Sequence, residues 1–321
     1  MPKSDILLIN AQEIKPGSRS RIDLPLPALY SGTALTMPVH VIHGKNPGPR
    51  LFVSAAIHGD ELNGIEVIHR LMLQPELEKL RGALLLIPMV NVYGVLDKSR
   101  YLPDRRDLNR CFPGSPEGSL AARLADLFMS EIVANCQYGI DLHTAAVHRS
   151  NLPQIRANLD DPHTLSLARA FDPPLLLNSR LRGGSLRKSA AEKGVTMLLF
   201  EAGEALRFEE NCILAGVQGI IRVLRHLGML SSNKPFTKPG QEPGIAHSST
   251  WLRAPSSGIF RSSTTLGALI ERDADVGVIS NPTSKKETKV TAPFTGLIIG
   301  RSELPLVYEG DALFHIARFE K

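Results

Sequence analysis

Cysteine is scarce in this chain: Cys111, Cys136 and Cys212 are the only three among 321 residues. Thiols so few and so scattered make neither a disulfide framework nor a thiolate metal cluster. Long apolar runs are missing too, and none reaches the roughly 18–20 residues that span a bilayer. The start, Met1-Pro2-Lys3-Ser4-Asp5, is followed by only a short apolar run and lacks signal-peptide organisation. A soluble, cytoplasmic protein with no membrane partner is therefore expected. Charge of one sign is not massed either, since the formal net charge is a modest +5. The exception is a local cluster of Arg100, Arg105, Arg106 and Arg110. A solvated loop, a nucleic-acid patch or a site for an anionic small molecule would each explain it. The cluster does not have the interleaved aromatics of a nucleic-acid surface, so no nucleic-acid partner is expected.

What is present is ample core material, 43% hydrophobic residues, in a chain long enough for one large domain plus a small one. From about residue 36 to residue 228, apolar runs alternate with helix-like segments. Strands are predicted at Val39–His43, Leu51–Ile57, Ala83–Val90, Tyr138–Leu142, Leu175–Asn178 and Val195–Phe200. Ser119–Val133 places Leu120, Leu124, Leu127, Phe128 and Ile132 on one helical face behind a Gly-Ser cap, and Cys212–Leu227 predicts another helix. This alternation argues for an α/β domain with a largely parallel central sheet, spanning residues 1–230. Residues 231–249, rich in Ser, Lys, Pro and Gly, read as a linker. Residues 250–321 read as a small all-β domain with a pseudo-repeat: Ala254-Pro255-Ser256-Ser257-Gly258-Ile259-Phe260 is echoed by Ala292-Pro293-Phe294-Thr295-Gly296-Leu297-Ile298. Two such arms suggest a small sandwich or barrel.

The chemistry concentrates at the ends of predicted strands, where open α/β sheets place their sites. His58 and Glu61 stand where the strand ending at Ile57 turns into a helix, and His143 follows the strand Tyr138–Leu142. Two imidazoles and a carboxylate make the His₂Glu set of a catalytic zinc. Asn109 and Arg110 lie in a loop closed by Pro113-Gly114, and an arginine fork beside an amide can grip a carboxylate. Glu201 ends an apolar strand, where an ionised carboxylate needs a partner or a task.

In this order, His58/Glu61, Asn109-Arg110, Asp141-Leu142-His143 and Glu201 resemble the motifs of the succinylglutamate desuccinylase/aspartoacylase family over roughly residues 45 to 228. The resemblance implies the zinc-carboxypeptidase-like fold, a mixed central sheet flanked by helices, with a C-terminal β-domain. It implies one zinc ion per chain on His58, Glu61 and His143, Glu201 as general base and acid, and Asn109 and Arg110 as carboxylate anchors. The oxyanion-stabilising arginine maps to Arg100, with Arg105 and Arg106 as alternatives because the intervening loop is long. The β-domain is more loosely similar to biotinyl and lipoyl carriers. Lys285, Lys286 and Lys289 lack the carrier setting, so they read as a solvated loop, and covering the site entrance or mediating homo-oligomerisation is the expected role.

Asp141, two residues before His143 on a strand, faces the same way and either orients that ligand or bonds a loop; the former is favoured. Gln154–Leu159 reads as a strand from which Arg156 could recognise substrate. His69, His148, His163, His226, His247 and His315 lack ligand spacing and are expected to be structural or exposed, while Trp251 should pack within the β-domain. The expected activity is a zinc-dependent amidohydrolase splitting a small anionic N-acyl amino acid. A zinc carboxypeptidase acting on short peptides would use the same residues, and a non-catalytic metal- or ligand-binding protein would be favoured had Glu201 or a ligand been missing.

Overall fold

The computed structural model describes residues 6–231 and 244–319. A short hairpin, Leu7–Ile9 (β1) with Gln12–Ile14 (β2), precedes the strands Ser18–Leu26 (β3), Leu35–His43 (β4) and Asn46–Ala55 (β5). Helix Asn63–Met72 (α1), strand Arg81–Ile87 (β6), and helices Val92–Asp97 (α2) and Leu120–Glu131 (α3) follow. Then come Tyr138–Ala145 (β7), Arg149–Ala157 (β8), Pro162–Phe171 (α4), Leu175–Asn178 (β9), Leu186–Glu192 (α5), Thr196–Glu204 (β10) and Glu210–His226 (α6). Hydrogen bonding orders the strands β3-β4-β6-β5-β7-β10-β8. The centre is parallel, from β6 through β5 and β7 to β10. Antiparallel β4 and β3 lie on one side and antiparallel β8 on the other. The sheet is thus mixed, not largely parallel as the alternation alone suggested.

Strand periodicity divides the core between the two faces. Leu51, Val53 and Ala55 of β5 join Val67, Ile68 and Leu71 of α1 and Val217 and Ile220 of α6. Phe52, between them in sequence, points the other way and meets Phe128 of α3 edge-on at 5.7 Å. The expected cap of α3 is present: the Ser119 hydroxyl oxygen accepts from the Ala122 N–H at 3.3 Å. No helix of the described residues is long and apolar enough to cross a membrane.

The C-terminal strands are Gly244–Ala246 (β11), Ser248–Arg253 (β12), Gly258–Ser262 (β13), Leu269–Ile270 (β14), Asp275–Ser280 (β15), Glu287–Thr291 (β16), Gly296–Ser302 (β17), Leu306–Val307 (β18) and Ala312–Arg318 (β19). Both arms of the repeat form antiparallel pairs, β13 with β15 and β17 with β19. One sheet runs β16-β15-β13-β18, and β12, β19 and β17 form the other layer. Phe260, Val276, Ile279, Ile298, Phe314 and Ile316 fill the space between, so this part is a sandwich. Of the three lysines, Lys289 lies on β16 and pairs with Asp275 at 2.7 Å, and Lys285 and Lys286 are exposed.

The segment read as a linker falls mostly outside the described residues, but its end is strand. β11 pairs in parallel with β9, and β12 begins at Ser248. The sandwich also joins the central sheet directly. β17 runs antiparallel to β8, with Gly300 opposite Asn151, Arg301 opposite Ser150 and Ser302 opposite Arg149. The free edge of β8 is therefore shared between β9 and β17, and one 13-stranded sheet runs through both parts of the chain.

Candidate metal centre and active-site cavity

The turn between β5 and α1 carries His58 and Glu61. Gly59 lets that turn lie against α2, because a Cβ there would stand 2.0 Å from the Gly94 carbonyl carbon. His143 arrives from β7. The ligand atoms of His58, Glu61 and His143 lie within 4.8 Å of one another, and all three residues are buried. Nδ1 of His58 is 2.7 Å from one Glu61 carboxylate oxygen, and Nδ1 of His143 is 2.8 Å from the other. The backbone N–H of Thr144 donates to the latter oxygen at 3.1 Å.

Each imidazole is held from behind by another carboxylate. His143 Nε2 meets Asp141 at 2.7 Å, and the Ser54 hydroxyl donates to the other oxygen of Asp141, also at 2.7 Å. His58 Nε2 meets Asp107 at 3.1 Å. Burial alone would raise the Glu61 pKa, but the two imidazoles outweigh it and hold the carboxyl well below its ordinary range. Burial alone would lower the pKa of His143, but Asp141 and Glu61 outweigh it and raise it well above the ordinary value. For His58, Glu61 and Asp107 likewise overcome burial and raise the pKa.

These contacts test whether a metal fits. If each Nε2–H donates to its aspartate, each neutral Nδ1 aims a lone pair at an ionised carboxylate, an arrangement that demands positive charge between them. The carboxylates touching the imidazoles are Glu61, Asp107 and Asp141, and the guanidinium answering them is Arg100, 3.0 Å from Asp107 and 3.5 Å from Glu61. Without a metal, protons on the two imidazoles supply that charge, as their raised pKa values reflect; with both rings neutral, three carboxylates against one guanidinium leave the place of a divalent cation. The His₂Glu donor set, with aspartates orienting both histidines, fits zinc.

A cavity of about 390 Å³ opens over this centre. Arg100 and Arg110 line it, whereas Arg105 and Arg106 do not. Arg106 points to solvent beside Asp104 at 3.8 Å. Asn109 is buried and its side-chain Oδ1 accepts from the Leu186 N–H at 3.0 Å, so its NH₂ group is what remains for a ligand. Glu201 lies opposite His143 in the parallel β10–β7 ladder, which places the two side chains side by side on one face. A bulge follows at once, and bulges of this kind commonly re-aim a side chain beside an active site. Arg156 reaches Glu201 at 3.4 Å, besides lining the cavity.

The cavity also holds residues that sequence reasoning did not select. Asp107, which backs His58 and pairs with Arg100, stands just outside the cavity lining and has no sequence signal of its own. Arg187, on α5, is buried, donates through Nη2 to Ser179 and the Arg180 carbonyl, and leaves Nη1 without a hydrogen-bond partner among the described residues. His315 was expected to be structural or exposed, but it lines the cavity with Trp251, the rings stacked at 4.8 Å. The sandwich thus supplies a wall of the site. Arg100, Arg110, Arg149, Arg156, Arg180, Arg182 and Arg187 face three lining carboxylates, Glu61, Asp141 and Glu201, so the cavity is strongly cationic.

Comparison with known proteins bears on the family of the chain. Residues 47–227 match the succinylglutamate desuccinylase/aspartoacylase catalytic domain. The N-alpha-acetyl-L-2,4-diaminobutyric acid deacetylase of Halomonas elongata is 26% identical over 243 residues, covering 73% of this chain and 71% of that protein. The succinylglutamate desuccinylase of Photorhabdus laumondii subsp. laumondii is 31% identical over 185 residues, covering 50% of this chain and 55% of that one. The crystal structure of a succinylglutamate desuccinylase/aspartoacylase from Rhodobacter sphaeroides has the same fold, with a TM-score of 0.82 at 24% identity over 97% of this chain and 99% of the other. With more than half its length matched by the catalytic domain, the chain belongs to the succinylglutamate desuccinylase/aspartoacylase family.

Proposed function

We propose that this protein is a zinc-dependent deacylase that hydrolyses an N-acyl amino acid to a carboxylate and a free amino acid. The carrying observation is the buried His58, Glu61 and His143 set beside Glu201 in an arginine-walled cavity. The names of the two curated relatives, one a deacetylase and one a desuccinylase of amino-acid derivatives, support the same reaction type.

Zinc held by His58, Glu61 and His143 would supply Lewis acidity, polarising a carbonyl oxygen and making water acidic near neutral pH. Glu201 removes a proton from the attacking water and passes it to the amine nitrogen as the C–N bond breaks. Arg100 donates to the oxygen that gains negative charge. Asn109 and Arg110 grip the substrate carboxylate and convert binding energy into orientation. Arg187, whose pKa burial and Arg156 lower, gains an anionic partner when a second carboxylate enters. The arginine excess favours N-acyl derivatives of acidic amino acids, or dicarboxylic acyl groups, over substrates with a free amine.

Three measurements test this. Protein purified without added metal should hold near-stoichiometric zinc, and His143→Ala should lose it. Glu201→Gln should keep the metal while turnover falls about 10²–10⁴-fold. A panel of N-succinyl-L-glutamate, N-acetyl-L-aspartate, N-acetyl-L-2,4-diaminobutyrate and short peptides should rank the acidic N-acyl amino acids first. Preferential cleavage of peptides would replace the deacylase by a carboxypeptidase.

A further inference from the structure

We infer that Asn151 is a positioning residue for Glu201, and that the C-terminal sandwich takes part in the reaction by holding Asn151 in place. This rests on the assignment of Glu201 as general base.

The backbone does not fix the Glu201 carboxylate by itself. The β10–β7 ladder runs in register up to Glu201 opposite His143, and then shifts before Glu204 meets Ala145. On the other side Glu201 faces Gln154, and the ladder shifts again before Gly203 meets Asn151. Just where Glu201 stands, the strand slips against both neighbours, so side-chain contacts set the aim of the carboxylate. Two are present. The Asn151 amide donates to Glu201 Oε2 at 2.8 Å, and Arg156 Nη1 lies 3.4 Å from Oε1. Each oxygen is therefore met from one side, and rotation of the carboxylate would forfeit both contacts.

Asn151 sits on the part of β8 that pairs with β17, directly opposite Gly300. A Cβ at residue 300 would lie 2.8 Å from Asn151 Oδ1 and 3.1 Å from His315 Cβ. The missing side chain at 300 leaves the space in which the Asn151 amide reaches across to Glu201. Asn151 is only 7% exposed, so it has no room to retreat. Behind Gly300, His315 is paired with it across β17 and β19 and stacked on Trp251, whose ring is also covered by Arg149 at 5.2 Å. The sandwich thus grips β8 through hydrogen-bonded strands and sets the position of one side chain there.

The test uses zinc-loaded full-length enzyme and the better cleaved of N-succinyl-L-glutamate and N-acetyl-L-2,4-diaminobutyrate. Asn151→Asp keeps the shape and replaces the N–H donor by an acceptor facing Glu201. Its kcat should fall about 10²-fold, the size expected for a misplaced catalytic group, with KM and zinc content near the parent values. Gly300→Ala should lower kcat about tenfold alone and add little in an Asn151→Ala background, because the atom it crowds most closely is then gone and only the His315 contact remains. Should Asn151→Asp not fold, Asn151→Ala supplies the same kcat and KM readout. Unchanged kcat in the Asn151 variants while Glu201→Gln is inactive would overturn the inference. A raised KM with intact kcat would overturn it too, making Asn151 a substrate contact. Equal losses from Gly300→Ala in both backgrounds would sever the sandwich from Asn151. An active Glu201→Gln would instead remove the underlying assignment, and that outcome is visible separately.

Discussion

Asp107 and Asp141 hold the two imidazoles of the metal centre from opposite sides, yet the sequence discloses them very differently. Asp141 is legible because two residues on a strand share a face. Asp107 becomes a partner of His58 only when its loop folds back across the cavity, and no spacing announces that. Either carboxylate fixes which nitrogen its imidazole presents, so Asp107→Asn and Asp141→Asn should each weaken zinc about 10–100-fold in a chelator competition. Arg187 was equally hidden, because α5 is only 7 residues long and shows no amphipathic period. A charged hydrogen bond is worth about 1.5–3 kcal/mol. Arg187→Ala should therefore raise KM for N-succinyl-L-glutamate at least tenfold while kcat changes less; an unchanged KM would remove Arg187 from substrate binding. His58, Glu61 and His143 were legible since each follows an apolar strand that could only be interior.

At the scale of elements, the buried strands and the long helices α3 and α6 were readable from apolar runs and helical period. The hairpin β1–β2 and the short helices α2 and α5 were not, because a few residues cannot display a period; the 9-residue edge strand β3 and the 10-residue helix α4 carry longer patterns that the strand and helix expectations did not include. The turn between β5 and α1 shows how little slack the site has. It lies so close to α2 that Gly59→Ala must displace backbone, not merely a flexible side chain. Such overpacking typically costs about 1–3 kcal/mol. Thermal denaturation of Gly59→Ala should show that loss, accompanied by weaker zinc retention, since both His58 and Glu61 ride on the displaced turn.

Across the whole molecule, one sheet runs through both parts of the chain. Composition marks where helices stop, but hydrogen bonds between residues as distant as Asn151 and Gly300 leave no local signature. One consequence is titratable. Burial, assisted by Arg156, pushes the His315 pKa down to about 3 from 6.5. Between those values the unfolded chain binds a proton that the folded protein refuses, so stability rises with pH through this window and is complete above it. Lowering the pH from about 8 to about 5 should cost roughly 2 kcal/mol through this residue. Denaturant unfolding of His315→Gln should show that much less acid sensitivity than the parent.

The sharing of β8 between β9 and β17 also bears on how the chain is made. A ribosome delivers the first 230 residues with the backbone of Arg149–Asn151 still open, a bare sheet edge of the kind that invites pairing with other chains. The strand that closes it arrives some 145 residues later, a costly long-range closure. Chains halted before β17 should therefore self-associate through that edge, and the sandwich strands double as the molecule's own protection against aggregation.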